Sequence, residues 1–177
     1  MAKTERLFFA LWPKPEQQKA WATTVAGLLP VDAGRLVPAS NLHITLLYIG
    51  EVTTRKRKAL EAMADQISFA PFALRLDRFG YWRKPKVWWW GPSQPPEELF
   101  GLVQSLRRGA ECCGIEIDQR PYKAHLTLAR KVACAPEQIV IQACGWTVDH
   151  FALVRSVSTP EGVRYEPLQH WSVQQEC

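Results

Sequence analysis

The chain has 177 residues, of which 47% are hydrophobic and 22% charged, and it carries a formal net charge of +5. This composition is typical of a soluble globular protein, and the 13 prolines are spread along the chain, unlike those of a low-complexity linker. No apolar run is long enough to span a bilayer, and the short apolar stretch near the N-terminus meets proline and charged residues at once, unlike a secretory signal. We therefore expect a cytoplasmic protein that does not contact membranes, and its positive charge favours phosphate-bearing ligands.

Strands and helices alternate in the first third of the sequence. A buried strand is predicted over residues 6–12, and a helix over residues 16–29 follows from the spacing of its apolar positions. The stretch "LHITLLYIG" is the next strand, closed by Gly50. Thr53 or Thr54 is the predicted N-cap of a second helix, which covers "RKRKALEAMADQI".

A hairpin is predicted in the middle of the chain. "FALRLDRFGYW" alternates as one strand with a bulge predicted at Gly80, and "KVWWWG" is its partner across a turn at residues 83–85. Alternation places Trp88 and Trp90 on one face of that strand and Trp89 on the other, and core packing is the favoured interpretation of these rings.

The second half contains a helix, "PPEELFGLVQSLRRGAECCG", with proline at its start and Gly114 after its end. It continues with three predicted strands, "AHLTLARKV", "TVDHFALVRSVS" and "YEPLQHWSV". Helices mixed with hairpin-like strands favour an α+β fold. Because no linker composition interrupts the chain, we expect a single domain over residues 1–177.

One four-residue pattern occurs twice, as His43-Ile-Thr45-Leu and as His125-Leu-Thr127-Leu. In a strand, the histidine and the threonine of each copy point to the same face, roughly 6–7 Å apart, while the aliphatic residues point to the other. Two such strands across a cleft would gather two imidazoles and two hydroxyls around one small volume.

That set of groups suits phosphodiester cleavage. Since histidine titrates near neutral pH, one imidazole can be neutral and take a proton from water while the other is charged and gives a proton to the leaving oxygen. Threonine hydroxyls can donate to the phosphate oxygens. A single His-x-Thr string is usually structural, however, and the spacing of the two copies leaves open whether they meet.

Neither a metal nor a cofactor is expected. Two histidines fall short of the usual zinc ligand count, and the cysteines show no C-x-x-C spacing. Their odd number also argues against a disulfide framework, so we expect reduced thiols at all five: Cys112, Cys113, Cys134, Cys144 and Cys177.

Both strings resemble the paired motifs of the 2H phosphoesterases. Further segments, "RLFFALWP", "VWWWG", "RPYKAHLTLAR" and "GVRYEPLQHW", follow the order seen in the bacterial RNA 2′,3′-cyclic phosphodiesterases, also called 2′-5′ RNA ligases. The resemblance implies one bilobal α+β domain with pseudo-twofold symmetry. In it, antiparallel sheets line a central cleft, helices lie outside, and each lobe supplies one His-x-Thr strand.

The resemblance also implies a reaction, the metal-independent hydrolysis of a 2′,3′-cyclic phosphate end of RNA to a 2′-phosphate. The substrate would be RNA or a nucleotide with such an end. Independently of the resemblance, we expect a monomer. By the same resemblance, His43 is the general acid at the leaving oxygen and His125 the general base at the attacking water. Thr45 and Thr127 hold phosphate oxygens.

The family motifs extend two residues further, to His-x-Thr-x-x-Phe and His-x-Thr-x-x-Arg. Here these positions are Tyr48, which keeps a ring that can stack on a nucleobase, and Arg130, which can grip the phosphate. Ala124 stands where the family usually has proline. Because positions 48 and 130 lie an odd number of residues after their histidines, each strand must carry an irregularity, which we expect near Leu47 and Ala129.

Two other functions remain open at this point. The same pair of histidines can run the reverse transesterification and join RNA ends through a 2′-5′ linkage, because acid and base exchange roles between the two directions of that reaction. A basic, aromatic-rich protein that binds RNA without turnover is the third interpretation.

Overall fold

The computed structural model describes residues 4–28, 34–134 and 142–173. These residues form three helices and one 3₁₀ turn: α1 (Pro15–Ala26), α2 (Thr54–Ala64), α3 (Glu97–Cys112) and the turn Ala39–Asn41. The strands are β1 (Thr4–Leu11), β2 (Arg35–Leu36), β3 (Ile44–Thr53), β4 (Phe72–Leu76), β5 (Arg78–Trp82), β6 (Val87–Gly91), β7 (Leu126–Arg130), β8 (Cys144–Val148), β9 (His150–Thr159) and β10 (Gly162–Ser172).

One eight-stranded sheet runs through the protein in the order β10-β9-β1-β3-β7-β6-β5, with β2 paired to β7. Strands β4 and β8 form a separate two-stranded sheet. Every strand pair is antiparallel. The prediction of an α+β fold is therefore confirmed.

The three predicted helices are present, and the differences from the predictions are confined to their ends. Helix α1 begins at Pro15 and ends at Ala26, and the predicted end at Leu29 lies outside the described residues. Thr53 is the N-cap of α2, where its hydroxyl accepts a hydrogen bond from the Lys56 amide at 3.4 Å. Gly114 follows α3 with φ +72°, which favours glycine.

Two predicted strands are each split by an aspartate, so the prediction of continuous strands was wrong there. Asp77 separates β4 from β5, and Asp149 separates β8 from β9. In both cases the first piece joins the small sheet and the second joins the large one. The Asp77 carboxylate accepts hydrogen bonds from the amide and hydroxyl of Ser93 at 2.7 and 2.8 Å, which fixes the corner. The alternation of polar and apolar residues indicates which face a side chain occupies, but not which strand its residue pairs with. The pattern therefore continues without a break across both corners.

Gly80 is not a bulge, contrary to the prediction. It pairs directly with Trp89 in the β5–β6 hairpin. A Cβ atom at this position would lie 2.0 Å from the Trp89 ring, so glycine leaves the space in which that indole packs. The indole faces away from Trp88 and Trp90, which are both 2% exposed in the core.

A single hydrophobic cluster contains residues from both halves of the chain, including Leu7 and Phe9 of β1 and Leu126 and Leu128 of β7. Helix α3 covers it with five buried residues: Leu99, Leu102, Val103, Leu106 and Ala110. Each of the leucines and the valine contributes up to about 1.5–3 kcal/mol by burial, and the alanine less.

The described part of the chain contains four of the five cysteines, and all four are free thiols. No helix within these residues is long and apolar enough to cross a membrane.

Candidate active site

The two motif strands are neighbours in the large sheet. They touch through one residue pair, Ile44 of β3 with Leu126 of β7, and they run antiparallel. This register places His43 beside Thr127 and Thr45 beside His125, all on one face of the sheet. The motifs therefore lie side by side, not face to face across a gap, and the two strands separate on either side of their single pair.

Each motif strand carries the irregularity that its sequence requires. Relative to β1, strand β3 has an extra residue at Leu46. Relative to β6, strand β7 has an extra residue at Leu128. Each bulge shifts the alternation by one position, so Tyr48 and Arg130 point to the same side as the histidines. The predicted irregularities are thus confirmed, one residue before the expected positions.

All six predicted site residues line one cavity of about 330 Å³. The same cavity is lined by five residues that the sequence analysis did not select: Arg6, Phe8, Ser156, Val163 and Tyr165. Arg130 is exposed at its rim, and Tyr48 presents 60% of its surface to solvent. Arg35 of β2 pairs with Arg130 and adds a second guanidinium to this edge.

The two histidines are oriented in the same way. Nδ1 of His43 lies 2.7 Å from the carbonyl oxygen of Asn41, and Nδ1 of His125 lies 2.8 Å from that of Lys123. A carbonyl oxygen only accepts, so each Nδ1 carries a proton and donates it. In each neutral ring the basic lone pair is consequently on Nε2, the atom that can take a proton from a bound molecule.

The surroundings of the two Nε2 atoms differ. The Thr45 hydroxyl lies 3.0 Å from Nε2 of His43 and donates to it when the ring is neutral. Nε2 of His125 has no hydrogen-bond partner among residues 4–28, 34–134 and 142–173. The lone pair of His125 is therefore available to an incoming hydroxyl group, whereas that of His43 is already occupied.

Aromatic rings enclose His43. Trp12 stacks on the imidazole with centroids 5.5 Å apart, Phe8 lies at 4.9 Å, and Tyr165 meets it edge-on at 5.1 Å. His150 holds the Trp12 backbone through a 2.9 Å hydrogen bond to its carbonyl oxygen. An indole face stabilises a cation by about 0.5–2 kcal/mol. The stacked Trp12 ring therefore stabilises the protonated form of His43 and partly offsets the destabilisation of that form by burial.

The pKa of His43 is lowered to about 4: burial is the largest cause, repulsion by Arg130 and by a protonated His125 contributes less, and the hydrogen bond to Asn41 opposes the shift. The pKa of His125 is also lowered, first by burial and then by Arg130. Near neutral pH the unoccupied cavity thus contains two neutral imidazoles beside a guanidinium. A bound anion would raise both values.

Comparison with known proteins shows the family of this chain. The sequence model of the 2′-5′ RNA ligase superfamily matches residues 13–160. The chain belongs to this superfamily. It is 37% identical over 99% of its length to the whole RNA 2′,3′-cyclic phosphodiesterase of Escherichia coli. It is 33% identical over 97% of its length to 91% of the enzyme of the same name from Thermus thermophilus.

Solved structures of the superfamily have the same fold. E. coli LigT complexed with 3′-AMP superposes with a TM-score of 0.87 at 36% identity, over 98% of this chain and 100% of LigT. A protein of Thermus thermophilus superposes with a TM-score of 0.80 at 32% identity, over 97% of this chain and 100% of that one.

Asn41 also contributes to the site, although the sequence did not predict it. It is a buried polar residue, 6% exposed. Its side-chain amide donates to the Val163 carbonyl at 2.7 Å and accepts from the Tyr165 amide at 3.2 Å. Since its own carbonyl orients His43, Asn41 connects that histidine to β10. The only signal in the sequence is a polar residue two positions before the motif, which loops commonly contain.

A pH-dependent anion affinity follows from the lowered pKa of His43. Sulfate, which stays a dianion between about pH 5 and pH 8, should bind more tightly as the pH falls. The pKa of His43 is about 4 in the free site and higher in the occupied site. At a pH between these two pKa values, sulfate binding is accompanied by uptake of a proton. The affinity for sulfate then rises by at most about tenfold per pH unit for each proton taken up.

Calorimetric titration of sulfate across this pH range measures the effect. The His43→Gln variant is the control, because it keeps a polar side chain of similar length but removes one titrating group. It should show a shallower dependence than the wild type. The same slope in both proteins would contradict the assignment to His43.

Proposed function

We propose that this protein hydrolyses 2′,3′-cyclic phosphate ends of RNA to 2′-phosphate ends, without a metal ion and with paired histidines as acid and base. The observation that carries the proposal is the arrangement of both His-Thr pairs on one face around one cavity. Relatives named RNA 2′,3′-cyclic phosphodiesterase over nearly the full chain support the choice of substrate.

In the proposed mechanism His125 is the general base. Its free Nε2 takes a proton from water as the water oxygen bonds to phosphorus. The orientation of this ring supports the role, because the Lys123 carbonyl holds the other nitrogen in its protonated state. Trp82 meets the imidazole edge-on at 4.5 Å and limits its rotation.

His43 is the proposed general acid. It must carry a proton in the complex, and the anionic substrate and the stacked Trp12 ring both favour that form. As the bond between phosphorus and O3′ breaks, Nε2 of His43 gives its proton to O3′. After one turnover His125 is charged and His43 neutral, and proton exchange with solvent restores the starting state.

The remaining site residues have binding roles in this proposal. The hydroxyls of Thr45 and Thr127 donate to the non-bridging oxygens, and the Arg130 guanidinium stabilises the charge that grows on them in the transition state. Tyr48 is exposed and can stack on the terminal nucleobase.

We further propose that the chain acts as a monomer and a single domain of two similar lobes, because one chain supplies both motifs to one cavity. The cytoplasm is the proposed location, which free thiols at four cysteines favour.

The test is to identify the phosphate isomer left on an RNA end after incubation with the protein, with and without EDTA. We expect a 2′-phosphate at the same rate in both samples. A 3′-phosphate would contradict the assignment of the leaving oxygen, and full inhibition by EDTA would contradict the metal-independent mechanism.

Ligation is a second candidate, favoured by the superfamily match. A 5′-hydroxyl of a second RNA can take the place of water beside His125, and the product then has a 2′-5′ linkage. Incubation of a cyclic phosphate end with a 5′-hydroxyl end, followed by a search for the joined product, separates it from hydrolysis alone.

A further inference from the structure

A second, larger cavity adjoins the first. It has a volume of about 830 Å³ and shares Thr45, Tyr48 and His125 with the smaller cavity. From this shared end it extends between the β5–β6 turn and the segment before β7. The mechanism proposed above places no part of the substrate in it.

Anchored aromatic rings line this second cavity. The Tyr81 hydroxyl donates to a backbone carbonyl at 2.7 Å, and the Tyr122 hydroxyl donates to the Thr45 carbonyl at 3.1 Å. Trp82 is held against His125. Because these contacts fix the rings, flat ligands can stack on them without a large loss of side-chain entropy.

Positive charge surrounds the rings. Among the described residues that line the cavity, Asp118 is the one acidic side chain, and it is paired with Arg120, whose guanidinium lowers the pKa of this carboxyl to about 2. The other charged residues of the lining are all basic: Arg83, Lys84, Arg107 and Lys123. They are candidates for contacts with phosphates.

We propose that the second cavity binds the single-stranded nucleotides on the 5′ side of the cyclic phosphate end. This inference rests on the proposed function. In such a substrate the phosphate occupies both O2′ and O3′, so the terminal nucleotide is joined to its chain only through O5′. Tyr48 borders both cavities, and a nucleotide stacked on it directs the preceding nucleotides into the second one.

The chemistry of the cavity matches this occupant. Aromatic rings that accept any base, combined with cations that follow the phosphates, are the usual means of binding single strands without regard to sequence. An RNA strand should therefore be a better substrate than a cyclic mononucleotide, and the preference should depend on salt.

The test compares two double variants that each remove two exposed basic side chains. Arg83→Ala/Lys84→Ala lies in the second cavity, and Arg55→Ala/Lys58→Ala lies on the exposed start of α2 as the matched control. The kcat/KM is measured for 2′,3′-cyclic AMP and for a short oligoribonucleotide with the same terminal nucleotide, over a range of salt concentrations.

We expect the wild type to prefer the oligonucleotide at low salt by at least about tenfold. The cavity variant should lose most of this preference, and the slope of log(kcat/KM) against log salt should fall by about 1.4, since each contact with a single strand contributes about 0.7. Both variants should hydrolyse the cyclic mononucleotide like the wild type, and the α2 variant should keep the preference.

Three results would overturn the inference. The first is the absence of an oligonucleotide preference in the wild type, and the second is an equal loss of this preference in both variants. The third is a cavity variant that keeps the preference in hydrolysis but loses its use of the 5′-hydroxyl strand in the ligation reaction, which would place a second RNA strand in the cavity. If the wild type hydrolyses neither substrate, the proposed function fails instead.

Discussion

The His125→Ala and His43→Ala variants should each lose about 10²–10⁴-fold in kcat for hydrolysis of a cyclic phosphate end, because each removes one proton transfer from the transition state. Both histidines act in the same step, so the double variant should lose less than the product of the two single losses. Single-turnover rates with a cyclic mononucleotide measure these values.

The pH dependence of the residual activity distinguishes the two roles. Wild-type kcat should follow a bell-shaped profile, which falls at low pH as the base is protonated and at high pH as the acid loses its proton. His125→Ala should remove the acidic limb and His43→Ala the alkaline limb. In the profile of kcat/KM, which reports the free enzyme, the acidic limb should lie below the ordinary histidine pKa of about 6.5, since burial and Arg130 lower the pKa of His125.

His170→Ala is the matched control, because this exposed histidine of β10 lies outside the cavity lining. It should retain wild-type kcat and both limbs. If His43→Ala or His125→Ala behaves like this control, the role assigned to that histidine is wrong. If the two variants lose the opposite limbs, acid and base are exchanged.

Arg130→Ala should produce the second large effect, a loss of about 10²–10³-fold in kcat with a smaller change in KM. The guanidinium contributes most where charge grows on the phosphate oxygens, which is the transition state. The kcat of Arg130→Lys should lie between those of the wild type and Arg130→Ala, since lysine keeps the charge but not the planar fork of donors. Steady-state kinetics with a cyclic mononucleotide separates kcat from KM.

A shift of the pH profile shows that the effect of Arg130 is electrostatic. Its guanidinium lowers the pKa of both histidines, so its removal should move both limbs to higher pH. Arg35→Ala is the control, because Arg35 pairs with Arg130 at the same edge but does not line the cavity. Equal losses in the Arg35 and Arg130 variants would indicate a general effect of charge.

The repeated motif shows how far local sequence information extends. Alternation alone was enough to put His43 with Thr45 and His125 with Thr127 on polar faces, because the side-chain period of a strand is a local property. The odd spacing to Tyr48 and Arg130 even required bulges, which the structure contains at Leu46 and Leu128.

Local patterns failed where the partner of a strand changes. Asp77 and Asp149 turn the chain from one sheet into the other, although the alternation of polar and apolar residues continues through both. The prediction of a bulge at Gly80 fails because the sequence does not show that the Trp89 ring lies above this glycine. In each case the deciding contact is with a residue distant along the chain.

The sequence by itself therefore determined the α+β class, the family and the six candidate residues, because strand periodicity, capping and short motifs are encoded by neighbours in the chain. Only the tertiary structure decided that the motif strands lie side by side, that Asn41 and three aromatic rings surround His43, and that a basic cavity continues from Tyr48. These features depend on the pairing of β3 with β7 and on the packing of β1 and β10 near them. The long-range contacts that create them leave no periodic signal in the sequence.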